Sequence, residues 1–288
     1  MEVLQFVVLF ITCTLATSEQ TTVLDVAAKN GATILRRLLN GTYLESLLLS
    51  EGNYTLFAPV DDGFDWLPPS VYDELNKNKT FVNFLFTFHV VKGQVESEKF
   101  KNDVTFATLH GATKVRMNII GTTYTADGVD VTLPDLSASN GVVHMLQRAM
   151  YPIPTLSLLE YLTTTPTLSR IVEVIQHANL TEFFKGGPFT LFAPMNIAFG
   201  KLPDGFLEKL MLNKTGLVDL VKYHVLTDTL FSEGLYDNQR LTTANDKQLI
   251  VTVMEGNVVI NGALIKGFDI IVNNGVIHVI DRVLIPPN

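Results

Sequence analysis

Apolar residues along the chain change their spacing in a regular order. Leu35, Leu38 and Leu39, then Leu44, Leu47 and Leu48, keep the three-and-four spacing of one helix face, interrupted at Asn40-Gly41. Leu168, Ile171, Val172 and Ile175 repeat that pattern, and Pro166 stands where a helix can begin. Short apolar runs at 54–57 and 189–192 follow, each closed by Ala-Pro, and predict strands. Further helices are expected to run into His89 and His224. Beyond them the period falls to two. Leu249, Val251 and Val253 share a face, Gly256-Asn257 turns, and Val258 and Ile260 return, with Val115, Met117 and Ile119 playing the matching part. A segment apolar on both faces, 276–284, predicts a buried central strand closing the second half. Helices come before strands in each half, so the expected class is α+β.

The two halves are copies. Thr55-Leu56-Phe57-Ala58-Pro59 returns 135 positions later as Thr190-Leu191-Phe192-Ala193-Pro194. Phe64 and Leu67-Pro68 match Phe199 and Leu202-Pro203, and Asn78-Lys79-Thr80 matches Asn213-Lys214-Thr215. Phe88-His89-Val90 matches Tyr223-His224-Val225, and Asn140-Gly141-Val142-Val143-His144 matches Asn274-Gly275-Val276-Ile277-His278. A solenoid repeat spans about 20–50 residues, so this period is a whole domain. The expected division is 19–152 and 153–288, with Pro152 and Pro154 stiffening the join.

Composition narrows the function classes. Of 288 residues, 47% are hydrophobic and 17% charged, which excludes a disordered chain. The formal net charge is −8, and basic clusters do not exceed pairs such as Arg36-Arg37, which argues against a nucleic-acid partner. An apolar run from Leu4 to Leu15, followed by Ala16-Thr17-Ser18, reads as a secretory signal peptide over 1–18. A buried N-terminal helix is the alternative. The expected product is secreted, with no transmembrane span and no lipid-anchor signal. Cys13 is the single cysteine, so thiol catalysis and a Cys-based zinc site are excluded from the mature chain. Five glycosylation sequons stand at Asn40, Asn53, Asn78, Asn179 and Asn213. No hydrolase, metalloprotease, phosphate-loop or dinucleotide motif is found, so no enzymatic activity and no cofactor are expected.

The repeated Thr-Leu-Phe-Ala-Pro, the Tyr223-His224 element, and the run from Asn274 to Leu284 together resemble the fasciclin domain family. The resemblance spans nearly the whole mature chain. It implies two tandem fasciclin-like domains, each a β-wedge flanked by helices. It further implies a secreted or surface-attached adhesion glycoprotein whose partner is an integrin-like cell-surface receptor or an extracellular matrix protein.

Each candidate site carries two readings. His89 and His224 end apolar helix stripes and read as hydrogen-bonded core histidines; the resemblance instead links Tyr223-His224 to receptor recognition, which Phe88-His89 does not match for want of a phenol hydroxyl. His144 and His278 read as packed strand residues. Asp135-Leu136 and Asp269-Ile270 stand where the resemblance places an integrin-binding acidic–aliphatic motif, and an exposed carboxylate there could complete the shell of a receptor-held cation. The alternative is a strand-end Asp making a turn bond. Asp61, Asp62 and Asp65 form an acidic cluster, read as a solvated loop rather than a metal site. Two rival functions stay open: a carrier of an apolar ligand, and a self-associating structural matrix protein.

Overall fold

A computed structural model describes residues 21–287. The proposed signal peptide over 1–18 lies outside the described residues. The first half runs α1 (Val23–Lys29), α2 (Thr33–Leu39), α3 (Tyr43–Leu49), β1 (Tyr54–Pro59), α4 (Pro69–Lys77), α5 (Lys79–Thr87) and β2 (Val90–Lys92). It continues with β3 (Val104–Ala107), β4 (Lys114–Ile120), β5 (Thr123–Ala126), β6 (Val129–Ala138) and β7 (Gly141–Leu146). The second half follows the same plan, with two helices before its first strand and three after it. Its helices are α6 (Leu158–Thr164) and α7 (Ser169–His177) before β8 (Phe189–Pro194), then α8 (Asn196–Phe199), α9 (Phe206–Leu212) and α10 (Lys214–Tyr223). Its remaining strands are β9 (Val225–Leu226), β10 (Arg240–Thr242), β11 (Gln248–Met254), β12 (Asn257–Ile260), β13 (Ala263–Val272) and β14 (Gly275–Ile280).

Each half builds one seven-stranded sheet, in the order β2-β1-β7-β6-β5-β4-β3 and β10-β11-β12-β13-β14-β8-β9. The first sheet curls until its ends nearly meet: Val91, in β2, bridges Thr108, just past β3. β7 pairs parallel with β1 and antiparallel with β6, and β14 does the same with β8 and β13. All six residues of β1, β7 and β8 are buried, because helices cover one face and the curled sheet covers the other. Each half therefore has two apolar clusters, one under the helices around Leu35, Leu56 and Phe86 or Ile171, Leu191 and Leu220, and one inside the curl around Phe57 and Met117 or Phe192 and Val251.

The repeated motifs are the joints of this frame. Thr55 in β1 donates to the Gly93 carbonyl at 2.7 Å and accepts from the Val95 amide at 2.9 Å; Thr190 does the same with Asp228 and Leu230, at 2.7 and 2.8 Å. Asn140 accepts from the Val23 amide (2.8 Å) and donates to the carbonyls of Leu48 (2.8 Å) and Ser50 (2.9 Å), tying α1 and α3 to β7. Asn274 ties α6 to β14 through Leu158, Phe184 and Gly186. The glycines that follow are forced. Gly141 has φ 153° and a Cβ there would lie 1.9 Å from the Tyr54 carbonyl oxygen; Gly275 has φ 156° and 2.0 Å to that of Phe189.

Helix starts follow their sequence signals. Thr22 with Asp25 and Ser157 with Glu160 form capping boxes on α1 and α6. Asn78 and Asn213 cap α5 and α10. Asp61 departs from the solvated-loop expectation. Its carboxylate accepts from the Thr33 hydroxyl (2.5 Å) and the Ile34 amide (2.7 Å), so it caps α2 from a distant segment, and Asn196 caps α7 likewise through the Arg170 amide at 2.9 Å. Pro166 opens a 3-10 turn, and α7 itself starts at Ser169. The closing strand is shorter than its apolar run. β14 ends at Ile280, and although Leu284 stays 2% exposed, its amide donates to the His224 ring at 2.9 Å instead of joining a ladder. Ile119 and Val253 also leave the expected inward face, at 37% exposure each, because the β4–β5 and β11–β12 hairpins run past the core.

Candidate functional site

The acidic–aliphatic corners sit on bulges inside β6 and β13, not at strand ends. The ladder to β7 slips between Leu133 and Leu136, and the ladder to β14 slips between Gly267 and Ile270. Asp135 (φ 60°) and Asp269 (φ 53°) take the left-handed backbone conformation that the bulge requires. Each carboxylate caps a 3-10 turn far upstream. The Ser97 amide donates to Asp135 at 2.8 Å and the Ser97 hydroxyl donates to its other oxygen; Ser232 makes the same pair of bonds to Asp269, with its amide at 2.8 Å. The Asp amides donate to ring Nδ1 of His144 (3.2 Å) and His278 (3.3 Å). Nε2 of these rings donates to the carbonyls of Val95 and Leu230, at 2.8 Å each. Both histidines are therefore neutral Nε2–H tautomers fixed by two bonds, and burial pushes both below the usual imidazole range.

The two corners differ in their surroundings. The Asp135 side chain is 35% exposed. Burial pushes its carboxyl up, but the Ser97 hydroxyl and amide, with the His144 ring, outweigh that and hold it below the ordinary carboxylate range. Asp269 is half-buried, and the Glu233 carboxyl bears on it from the next turn. Leu136 and Ile270 are both partly buried against the helix-side cores. The corners thus offer a carboxylate with spare lone pairs at the surface, backed by a half-buried aliphatic group.

Tyr223 and His224 are placed elsewhere. Tyr223 is 1% exposed and His224 fully buried, so neither presents a contact surface. His224 Nδ1 donates to the Leu220 carbonyl (2.8 Å) while Nε2 accepts from the Leu284 amide (2.9 Å); His89 bridges Leu85 (3.2 Å) and Met150 (2.9 Å) in the same way. Each bolts a helix end to the segment after the closing strand. Burial, only partly offset by the helix carbonyl, lowers both rings to about 4. The Tyr223 hydroxyl donates to the Gln248 carbonyl (3.0 Å) and accepts from Asn261 (2.7 Å). At the matching positions stand Phe88 and Asp127, and there the second carboxylate oxygen of Asp127 has no partner.

All five sequon asparagines are exposed. Asn78 and Asn213 use Oδ1 for their helix caps, and Nδ2 of Asn78, the atom that would carry a glycan, donates to the Glu74 carboxylate at 2.7 Å. Among the described residues no cluster of three or more His, Cys, Asp or Glu could hold a metal ion. No described helix is long and apolar enough to cross a membrane.

The sequence reading missed Ser97 and Ser232. Their repetition at the same spacing as the Thr-Leu-Phe-Ala-Pro motif was the available signal.

Comparison with known proteins settles the family. The Fasciclin domain family model matches residues 30–152 and 166–286. The chain belongs to the fasciclin family. Human periostin is 30% identical over 261 residues, covering 89% of this chain and 31% of periostin. The pig transforming growth factor-beta-induced protein ig-h3 is 30% identical over 267 residues, covering 92% of this chain and 38% of that protein. The chain thus spans about a third of the length of these two relatives. A solved domain pair from the insect cell adhesion molecule fasciclin I covers 91% of this chain and is itself covered to 95%, with 19% identity and a TM-score of 0.43. Both fasciclin domains of this chain carry the acidic corner, the neutral histidine behind it and the buried helix-end histidine.

Proposed function

We propose that this fasciclin protein is a secreted extracellular adhesion glycoprotein that binds a cell-surface receptor or a matrix component non-covalently, with the Asp135-Leu136 and Asp269-Ile270 corners as its contacts. The observation that carries the reading is the duplicated corner itself, a surface carboxylate fixed by a serine cap on a bulge and backed by an aliphatic side chain. Such a carboxylate can give an oxygen ligand to a divalent cation held by an integrin-like receptor. Two such corners in one chain gain avidity when both reach the partner. Tyr223 and His224 would serve this role indirectly, by holding the frame. The division into 19–152 and 153–288, the leader over 1–18, and glycans on Asn40, Asn53, Asn78, Asn179 and Asn213 belong to the same proposal. The names of the relatives, periostin and ig-h3, and the family match support it.

The carrier alternative finds less support. A cleft of about 410 Å³ between the domains is lined by Asp103, Asp228 and Glu233 beside Leu230 and Phe231, so an apolar ligand there would lie against three carboxyl groups.

The test is adhesion of cells to the purified, glycosylated protein, with and without EDTA, for the natural chain and an Asp135→Asn/Asp269→Asn variant whose fold is verified. EDTA-sensitive adhesion lost in the folded variant is expected. Adhesion no greater than to albumin would overturn the reading and favour self-association, which concentration-dependent sedimentation would reveal.

A further inference from the structure

Five asparagines of the chain precede a glycine: Asn30, Asn40, Asn140, Asn261 and Asn274. Four of them have their side-chain amides tied down. Asn30 Nδ2 donates to the Val26 carbonyl at 2.7 Å. Asn261 is held between the Ile250 amide and the Tyr223 hydroxyl, at 2.7 Å each. Asn140 and Asn274 each make the three bonds that join a helix to the closing strand. Asn40 differs. Its side chain is exposed and makes no hydrogen bond to any described residue. The peptide unit that follows it is gripped at both ends instead. Lys79 Nζ donates to the Asn40 carbonyl oxygen at 2.6 Å, and the Gly41 amide donates to the Glu45 carboxylate at 2.7 Å. Arg36 holds the other oxygen of that carboxylate at 2.9 Å. Gly41 has φ 72°, and a Cβ there would meet nothing within 4 Å, so water reaches this turn freely.

A cation on the carbonyl oxygen and a carboxylate on the N–H act in the same direction. Both favour loss of the amide proton and leave the Gly41 nitrogen nucleophilic. The unbound Asn40 side chain can swing its Cγ onto that nitrogen, whereas the four tied side chains must first break hydrogen bonds. We propose that Asn40-Gly41 is a self-modifying site, which in a chain without a glycan on Asn40 closes to a succinimide and opens to isoaspartate or aspartate, with Glu45 as the base. This goes beyond the adhesive reading and does not depend on it.

The step balances with water as the only co-reactant. The Gly41 nitrogen forms a bond to Asn40 Cγ while its proton passes to the Glu45 carboxylate. The Cγ–Nδ2 bond then breaks, Nδ2 takes that proton, and ammonia leaves. Water opens the imide ring at either carbonyl. Opening at Cγ gives aspartate, and opening at the backbone carbonyl gives isoaspartate, which routes the main chain through the side chain. Either product adds a carboxylate at the join of α2 and α3. A glycan competes for the same atom, because it is carried on Nδ2 and ring closure expels Nδ2.

The probe is the full chain made in a host that attaches no N-glycans and incubated at pH 7.4. Peptide mapping by mass spectrometry reads amide loss and isoaspartate at each of the five pairs. Conversion at Asn40 is expected to run roughly tenfold faster than at any of the other four. Glu45→Gln, with its fold verified by circular dichroism, is expected to slow Asn40 several-fold and to leave the other four unchanged. Glu45→Asp keeps the charge and draws the carboxylate back from the amide; it carries the same expectation and replaces Glu45→Gln should that variant unfold. No conversion at Asn40, or equal conversion at all five pairs, would overturn the proposal. So would an Asn40 rate that is unchanged or raised in the folded Glu45 variant.

Discussion

The two fasciclin domains share a frame and differ in how one buried position is satisfied. In the second domain Asn261, in the turn after β12, accepts from the Ile250 amide (2.7 Å) and donates to the Tyr223 hydroxyl (2.7 Å). In the first, Asp127 accepts from the Arg116 amide (3.1 Å), and a phenylalanine at position 88 replaces the tyrosine. The leftover carboxylate oxygen is buried without a partner, and burial raises the Asp127 carboxyl to about 7 despite the Arg116 amide. The lesson is that Tyr and Asn, or Phe and Asp, travel together across the repeat. The tyrosine hydroxyl that a resemblance would assign to a receptor is occupied by an internal bond.

Four tests bear on what the domains share and on where they part. The largest effect falls on what the domains share. Gly141→Ala and Gly275→Ala each drive a Cβ to about 2 Å from a backbone carbonyl oxygen at positive φ, and each is expected to destabilise its domain by about 3 kcal/mol or more. Urea unfolding followed by tryptophan fluorescence for the Trp66 domain, and by circular dichroism for both, measures it.

Acid sensitivity is next and is also shared. His89 and His224 are lowered to about 4 in the fold from 6.5. The unfolded chain binds the proton first, so stability is full above about 6.5 and falls as pH drops toward 4, by roughly 3 kcal/mol for each ring. Thermal melts from pH 7 to 4.5 should show both domains losing stability together. An unchanged melting temperature across that range would mean the rings are not held neutral.

Asp127 should separate the domains. Its raised value means the first domain loses stability as pH rises from the ordinary 3.8 to about 7 and loses no more above that. Asp127→Asn is expected to stabilise the chain by about 2 kcal/mol at pH 8 and to have little effect at pH 4. Equal effects at both pH values would contradict a buried ionisation there.

The smallest effect is the hydroxyl exchange. Tyr223→Phe leaves the Asn261 amide without its acceptor and should cost about 1 kcal/mol, while Phe88→Tyr supplies a donor to Asp127 and should stabilise by a similar amount at pH 8. Paired denaturation curves of the two variants check the opposite signs.

Much of the frame was legible because repetition exposes it. The Thr-Leu-Phe-Ala-Pro strands, the Asn-Gly turns and the Asn78 and Asn213 caps all rest on local chemistry that a linear pattern carries. What was not legible depends on contacts distant in sequence. Asp61 caps a helix 27 residues before it, and Asp135 caps a turn 38 residues upstream, so each looked like a surface acid. The bulges of β6 and β13 were hidden because the apolar pattern is interrupted by Pro134-Asp135 in one and by Lys266-Gly267 and Asp269 in the other, residues that also suit a loop. Leu284 kept its buried pattern while its amide went to His224, a partner that no periodicity indicates. The interdomain joint through Asp103, Asn118 and Thr229 lies outside the repeated motifs, and only the folded chain brings it together.

The proposed adhesive contact is a surface carboxylate on the bulge, with the more exposed corner, Asp135, dominant. The most direct test compares EDTA-sensitive cell adhesion to Asp135→Asn and Asp269→Asn proteins at pH 7.4, since asparagine removes the charge and keeps a cap acceptor. Most adhesion is expected to be lost in Asp135→Asn and most kept in Asp269→Asn. Full adhesion in both folded variants, or loss in Asp269→Asn alone, would contradict it.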